Sequence, residues 1–364
     1  GTHLNNGDGP DDPRPKRNGT QTANFICTIP RSALGKDAKA HPTAMSLYGH
    51  GLLGTAAEVL SVGPIYAARL NTTFCATDWI GLSAGDIPNA VATLKDLSRF
   101  RTMTDRMQQG MLDFLVLGRL MKSDKGFTTD PAFQDRSGTA LLDHEHLAMV
   151  GLSQGGIMGG ATTAIAQDWD RVFLGVPGAN YSLLLNRSVD FDSYGAILNP
   201  AYPSPSDRQI ALQLIQMLWD RSENNGYAQH FTRDPYPGTK PKQMLLLEAF
   251  GDHQVTNIST EVLARTMGAK LRTPALTKGR ATAKVPLWDL DPAGQLPAKG
   301  DSYLVIWDFG TPAPPTANLP NRAGQDPHGL GATEARVLEF GAAWLTDGQL
   351  IDTCKDNPCT TPPS

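Results

Sequence analysis

No run of apolar residues in this 364-residue chain is long enough to cross a bilayer as a helix. A basic excess is missing too: 32 Lys and Arg stand against 36 Asp and Glu, a formal net charge of −4. Nucleic acid therefore finds no electrostatic footprint, and anionic lipid no polybasic patch. Cysteine is scarce, with four residues, and no Cys/His spacing matches a zinc site. The opening GTHLNNGDGPDDPRPKRNGTQTAN lacks the charged head and apolar segment of a signal peptide. Residues 1–23 read as a flexible leader, and the chain as one trimmed upstream of its folded part. Glycine (36) and proline (27) are abundant, which predicts many turns and long irregular connections.

The even cysteine count fits two disulfides and an exported protein, secreted or periplasmic and of bacterial type. Cys354 and Cys359 in CKDNPC are close enough in sequence to pair across a turn. Cys27 and Cys75 fall in the apparent β segments FICTIP and TTFCATD and either form the second bridge or stay as buried thiols.

Short apolar runs alternate with helical patterns. Strands are predicted at 44–51, 72–80, 146–152, 171–176, 243–250 and 302–309. Helices are predicted at 55–70, with Pro64 a kink or break, at 102–122, after Ser153, at 210–222 and at 332–345. Strands separated by helices imply an α/β fold, a mainly parallel sheet covered on both faces. The roughly seventy residues between the strands at 171–176 and 243–250 are too many for an ordinary connection. Residues 178–240 therefore read as an inserted cap, between core segments 24–177 and 241–347, with a tail at 348–364.

Gly-x-Ser-x-Gly occurs twice, as GLSAG at 81–85 and GLSQG at 151–155. A nucleophile on a strand-to-helix elbow needs a buried strand, glycine on both sides of the serine and a following helix. Ser153 has all three: LAMV before it, Gly151 and Gly155 around it, and Gly156, Gly159 and Gly160 along the next turns. Ser83 is followed by GDIP, whose Pro88 suits a later helix start, and reads as a loop beside the site.

A serine hydroxyl needs a base, and the base a carboxylate to orient it. Downstream of Ser153 the histidines are His230, His253 and His328. His328, in DPHGLG between the strand SYLVIWDF and the last helix, is placed where such a base should hang. Asp252, just past the strand QMLLLEAF, is the expected acid, with Asp308 in reserve and Glu248 structural. YGHGLLG at 48–54 ends an upstream strand and offers backbone N–H groups to an oxyanion, those of Leu52 and Gln154 being the expected donors. His50 there reads as a residue that bonds the loop. Asp143, His144, Glu145 and His146 hint at metal but read as a solvated turn at the opposite end of the sheet. Met103, Met107 and Met111 read as core.

HGLLG, GLSQG, Asp252 after a strand and His328 before the last helix occur in an order that resembles the α/β-hydrolase superfamily, its serine esterases and lipases in particular, over residues 40–345. The resemblance implies an eight-stranded, mostly parallel sheet with the cap inserted after the sixth strand. It also implies hydrolysis of carboxylic esters through an acyl-enzyme, without metal or organic cofactor. Leu183, Leu184, Leu185, Ile215, Leu218 and Trp219 in the cap, with Trp79, predict an apolar pocket suited to lipid, aryl or polyester substrates, small or polymeric. The same triad serves serine peptidases and β-diketone hydrolases. An inactive binding protein on the same fold is the alternative from another class.

Overall fold

The computed structural model describes residues 16, 17 and 19–361. Most of the predicted leader lies outside the described residues. The strands are β1 (Phe25–Thr28), β2 (Thr43–Gly49), β3 (Thr72–Thr77), β4 (Leu142–Leu152), β5 (Arg171–Gly175), β6 (Gln243–Ala249), β7 (Lys270–Leu271), β8 (Ala298–Lys299), β9 (Tyr303–Asp308), β10 (Gln349–Leu350) and β11 (Cys359–Thr360). The helices are α1 (Val59–Leu70), α2 (Ile87–Lys95), α3 (Arg101–Lys122), α4 (Gln154–Ile165), α5 (Tyr181–Leu184), α6 (Phe191–Ala201), α7 (Pro205–Trp219), α8 (Gln229–Thr232), α9 (Asn257–Met267) and α10 (Ala335–Asp347).

The main sheet runs β1-β3-β2-β4-β5-β6-β9-β11, with β7 also paired to β9. Within this sheet only the β1–β3 pairing is antiparallel, and β8 and β10 form a separate antiparallel pair. Side chains alternate between two cores as the pleat requires. Leu47, Met149 and Leu246 face one core. Their neighbours Tyr48, Val150, Leu245 and Leu247 face the other, with Phe340 and Trp344 of α10 packed against them. Helices α3, α4 and α9 pack on the first face and α1 and α10 on the second.

Strand order reverses at β2: the chain steps from β2 outward to β3, then back across β2 to β4. In an open parallel sheet, such a reversal leaves a crevice beyond the carboxyl ends of the two strands between which it occurs. Here those strands are β2 and β4, which end at Gly49 and Leu152.

Several details depart from the sequence expectation. The main sheet has nine strands rather than eight, because two-residue pairings of β7 and β11 extend it at β9. Only β1 precedes β2 among the described residues, so the helical segment carrying α5 to α8 follows the fifth strand, not the sixth. Pro64 lies within a continuous α1 without breaking it; Leu60, whose carbonyl loses its i+4 partner, is solvent-exposed. Asp143 to His146 are not a turn but the first part of β4, an extension that a register shift against β2 permits. They stay solvated, with His146 bonded to Asp143 at 2.7 Å.

Cys27 and Cys75 face each other across β1 and β3 and are joined by a disulfide. A second disulfide joins Cys354 to Cys359 and holds the tail against β9 through β11.

Candidate active site

Ser153 sits between the last residue of β4 and the first of α4 with φ 57° and ψ −120°. A side chain at positive φ is strained, and the strain persists because the surroundings fix it. Its N–H donates to the Gly175 carbonyl at 2.9 Å. The two flanking glycines are required by close approach. A Cβ on Gly151 would lie 2.1 Å from the Gly155 carbonyl oxygen, and a Cβ on Gly155 would lie 2.0 Å from that of Gly49. α4 is therefore pressed against β2, and its N-terminus opens into the crevice between β2 and β4.

The loop after β2 is held by two side chains. His50 is fully buried. Its Nε2 accepts the Trp79 N–H at 2.8 Å and its Nδ1 donates to the Gly51 carbonyl at 2.8 Å, a pattern that suits one neutral tautomer. Burial lowers its pKa, so it stays neutral. Glu58 accepts from the Tyr48 hydroxyl at 2.5 Å and from the Gly51 N–H at 3.2 Å. Leu53 is turned to φ 52°. The N–H groups of Leu52 and Gln154 make no hydrogen bond among the described residues.

Asp252 lies in the turn after β6 and is almost fully buried. Its Oδ1 accepts the N–H groups of Gln254 at 2.8 Å and Val255 at 3.0 Å. Its Oδ2 accepts from Nδ1 of His328 at 2.8 Å. Asp326 positions the same loop by accepting the backbone N–H of His328 at 3.1 Å and of His253 at 3.3 Å, and the Gln254 side-chain amide at 2.8 Å. Burial alone would push the Asp326 carboxyl up, but these hydrogen bonds outweigh it and hold the pKa below the usual carboxylate range. For His328 burial favours the neutral ring, yet the Asp252 carboxylate prevails and raises its pKa. The other ring nitrogen, Nε2, is buried with no hydrogen-bond partner among the described residues. Ser153 and His328 are therefore not hydrogen-bonded to each other in this structure. In unliganded sites such contacts are commonly long and close only around substrate.

Ser153, Leu52 and Gln154 line one cavity, which holds about 800 Å³ of empty space including its open mouth. Its wall is mainly apolar: Leu53, Phe100, Met103, Ile157, Leu184 and Trp219 are among the residues exposed to it. His328 does not line this cavity, but Gln254 and Val255, which share Asp252 with it, do. Trp79, expected at the pocket, is fully buried and stacked on Phe114 with ring centroids 3.7 Å apart. The bare backbone of Gly49 leaves room there for its indole.

The other candidates have structural partners. Ser83 Oγ donates to Asp86 at 2.6 Å in a buried turn that Arg106 also holds. His230 bonds the Asp234 carbonyl at 2.6 Å, and His253 bonds that of Ala323 at 3.2 Å. Asp308 is paired with Arg280 at 2.7 Å.

Sequence reasoning missed Glu58, Asp190 and the network behind Gln154. Gln154 Oε1 accepts from the Tyr181 hydroxyl at 2.5 Å. The Tyr181 and Asn180 N–H groups donate to the buried Glu223, whose carboxyl burial pushes up to about 7. An acidic residue one turn past a glycine-rich loop was the only signal for Glu58; Asp190 and Glu223 gave none.

Compared with known proteins, the chain matches no family model and no curated sequence. Solved structures resemble it loosely. Acetyl xylan esterase 1 of Thermoanaerobacterium sp. is 10% identical over 83% of this chain and 76% of its own, with a TM-score of 0.46. A puromycin-hydrolyzing peptidase of Mycobacterium tuberculosis is 15% identical over 100% of this chain, with a TM-score of 0.47, and this chain spans 41% of its length. An esterase of Pyrococcus furiosus is 9% identical over 85% of this chain and 84% of its own, with a TM-score of 0.42. With its strand order, its helices on both faces and its positive-φ serine at the mouth of the β2–β4 crevice, the chain is built on the α/β-hydrolase fold.

Proposed function

We propose that the chain is a serine hydrolase that cleaves carboxylic esters of apolar acids through an acyl-enzyme. Ser153 Oγ attacks the ester carbonyl while Nε2 of His328 takes its proton. Asp252 holds Nδ1–H and stabilises the imidazolium. The Leu52 and Gln154 N–H groups receive the oxyanion, each donor of this kind being worth roughly 3–4 kcal/mol. The imidazolium then protonates the leaving alkoxide. Water attacks the acyl-enzyme by the same route in reverse, and Ser153 is regenerated.

The observation that carries this proposal is the Asp252–His328 pair. Both oxygens of the carboxylate are committed, and they fix the tautomer that leaves Nε2 free to accept. The apolar wall of the cavity supports apolar acyl groups, among which lipid, aryl and polyester substrates are the candidates. The helices between β5 and β6 serve as a cap, because Leu184 of α5, Phe191 of α6 and Trp219 of α7 all line the cavity that Ser153 opens into. Two disulfides support function in an oxidising compartment. Turnover of a graded set of 4-nitrophenyl esters by the wild type and Ser153→Ala tests the proposal. Loss of at least about a thousandfold in kcat is expected; near wild-type turnover in the variant contradicts it.

A further inference from the structure

Asp190 has no task in the chemistry described above. Its N–H donates to Ser188 Oγ at 3.2 Å, and the preceding Val189 N–H donates to the His253 carbonyl at 2.9 Å. The residue is thereby tied to the turn that carries Asp252. It lines the cavity shared by Ser153, Leu52 and Gln154, and its carboxylate has no hydrogen-bond or ion-pair partner among the described residues.

No Lys, Arg or His lines that cavity to balance it. Burial is the main cause that raises the Asp190 carboxyl; His328 opposes the rise, and Asp252 and Asp326 add to it. An unpaired carboxylate in an apolar wall is costly in the empty protein, and the cost is offset when a cation enters. Phe191 and Tyr194 line the same cavity beside it. An acid set among aromatic rings is the combination that receives an ammonium group.

Resting on Ser153 as the nucleophile, we propose that Asp190 is the specificity-determining residue of this site and selects esters whose apolar acyl part carries a protonated amine. The amine replaces water at the carboxylate, and the carbon skeleton fills the apolar wall.

The test uses matched 4-nitrophenyl esters: those of leucine and 6-aminohexanoic acid against their amine-free counterparts, 4-methylpentanoate and hexanoate. The wild type is expected to prefer at least one amino ester in kcat/KM. Asp190→Asn is expected to cut that preference by about tenfold or more, as for loss of one charge-assisted bond, and Asp190→Glu to restore part of it. Equal losses on both members of a pair overturn the proposal, because Asp190 then acts only through His328. Absence of any preference in the wild type overturns it too. Ser153→Ala, run alongside, separates this failure from failure of the nucleophile assignment: turnover that survives in that variant removes Ser153, whatever Asp190 does.

Discussion

Asp252→Asn changes one oxygen into an NH₂ and almost nothing in shape. In the native turn Oδ1 accepts two backbone N–H groups, from Gln254 and Val255. Only the amide oxygen of Asn can replace it there, because an NH₂ at that position would face two donors. The NH₂ then occupies the Oδ2 position, 2.8 Å from Nδ1 of His328. An Nδ1–H would face this second donor at the shorter contact, although Oδ1 also lies 3.0 Å away, so the tautomer with Nδ1 as acceptor is favoured and the proton moves to Nε2, the atom that should receive the Ser153 proton. The turn and the imidazole stay in place while the tautomer is wrong. A triad in this state loses on the order of 10⁴ in kcat, about 5.5 kcal/mol of barrier. The assay is kcat for a 4-nitrophenyl ester, paired with a urea melt. A fold within about 1 kcal/mol of wild type is expected, since both backbone bonds survive. A loss of less than tenfold in kcat with the fold intact would refute the role given to this carboxylate.

His328 must be neutral to accept a proton and its pKa is raised chiefly by Asp252, so kcat/KM should fall with acid at a midpoint above the ordinary histidine value of about 6.5. Asp190→Asn removes one anion and should move that midpoint down; an unmoved or rising midpoint contradicts the placement. Gly155→Ala puts a Cβ 2.0 Å from the Gly49 carbonyl, at a strand end held to β4 by the Gly49–Gly151 pair. A destabilisation of about 3 kcal/mol, the upper end for overpacking, should appear in the denaturant midpoint, whereas a silent variant denies the close approach of α4 to β2. Glu248 on β6 has both oxygens buried and unpartnered, and burial, with Glu261 and Asp252 adding, raises its pKa strongly. The unfolded chain releases this proton first, so stability is lost as pH climbs above the ordinary glutamate value of about 4.3. Glu248→Gln should flatten the decline that sets in above the ordinary glutamate value, and parallel stability curves would argue against a protonated Glu248.

What could be seen in the sequence was chemistry governed by local backbone demands. The requirement for glycine at 151 and 155 is written into the turn itself, and the structure gives Ser153 the positive φ that such a turn produces. Asp252 and His328 each follow a strand, so sequence order alone placed them at the carboxyl edge where they meet. What could not be seen depends on tertiary contact. Asp190 becomes a cavity residue only because the segment after β5 folds back onto the His253 carbonyl. Trp79 is drawn into the core by the bare backbone of Gly49 and the ring of Phe114, neither of them near it in sequence. The acidic and histidine cluster at 143–146 looked like a turn because its side chains are polar. Leu142 and Leu147 pair with β2 on either side of it, and the register shift between them carries the cluster along as part of β4.

Reaction with a fluorophosphonate, followed by mass spectrometry of the digested chain, tests the central assignment most directly. One adduct per chain on the peptide containing Ser153 is predicted, formed far more slowly in His328→Ala. An adduct on Ser83, or ester cleavage by a chain that takes up no label at Ser153, would contradict it.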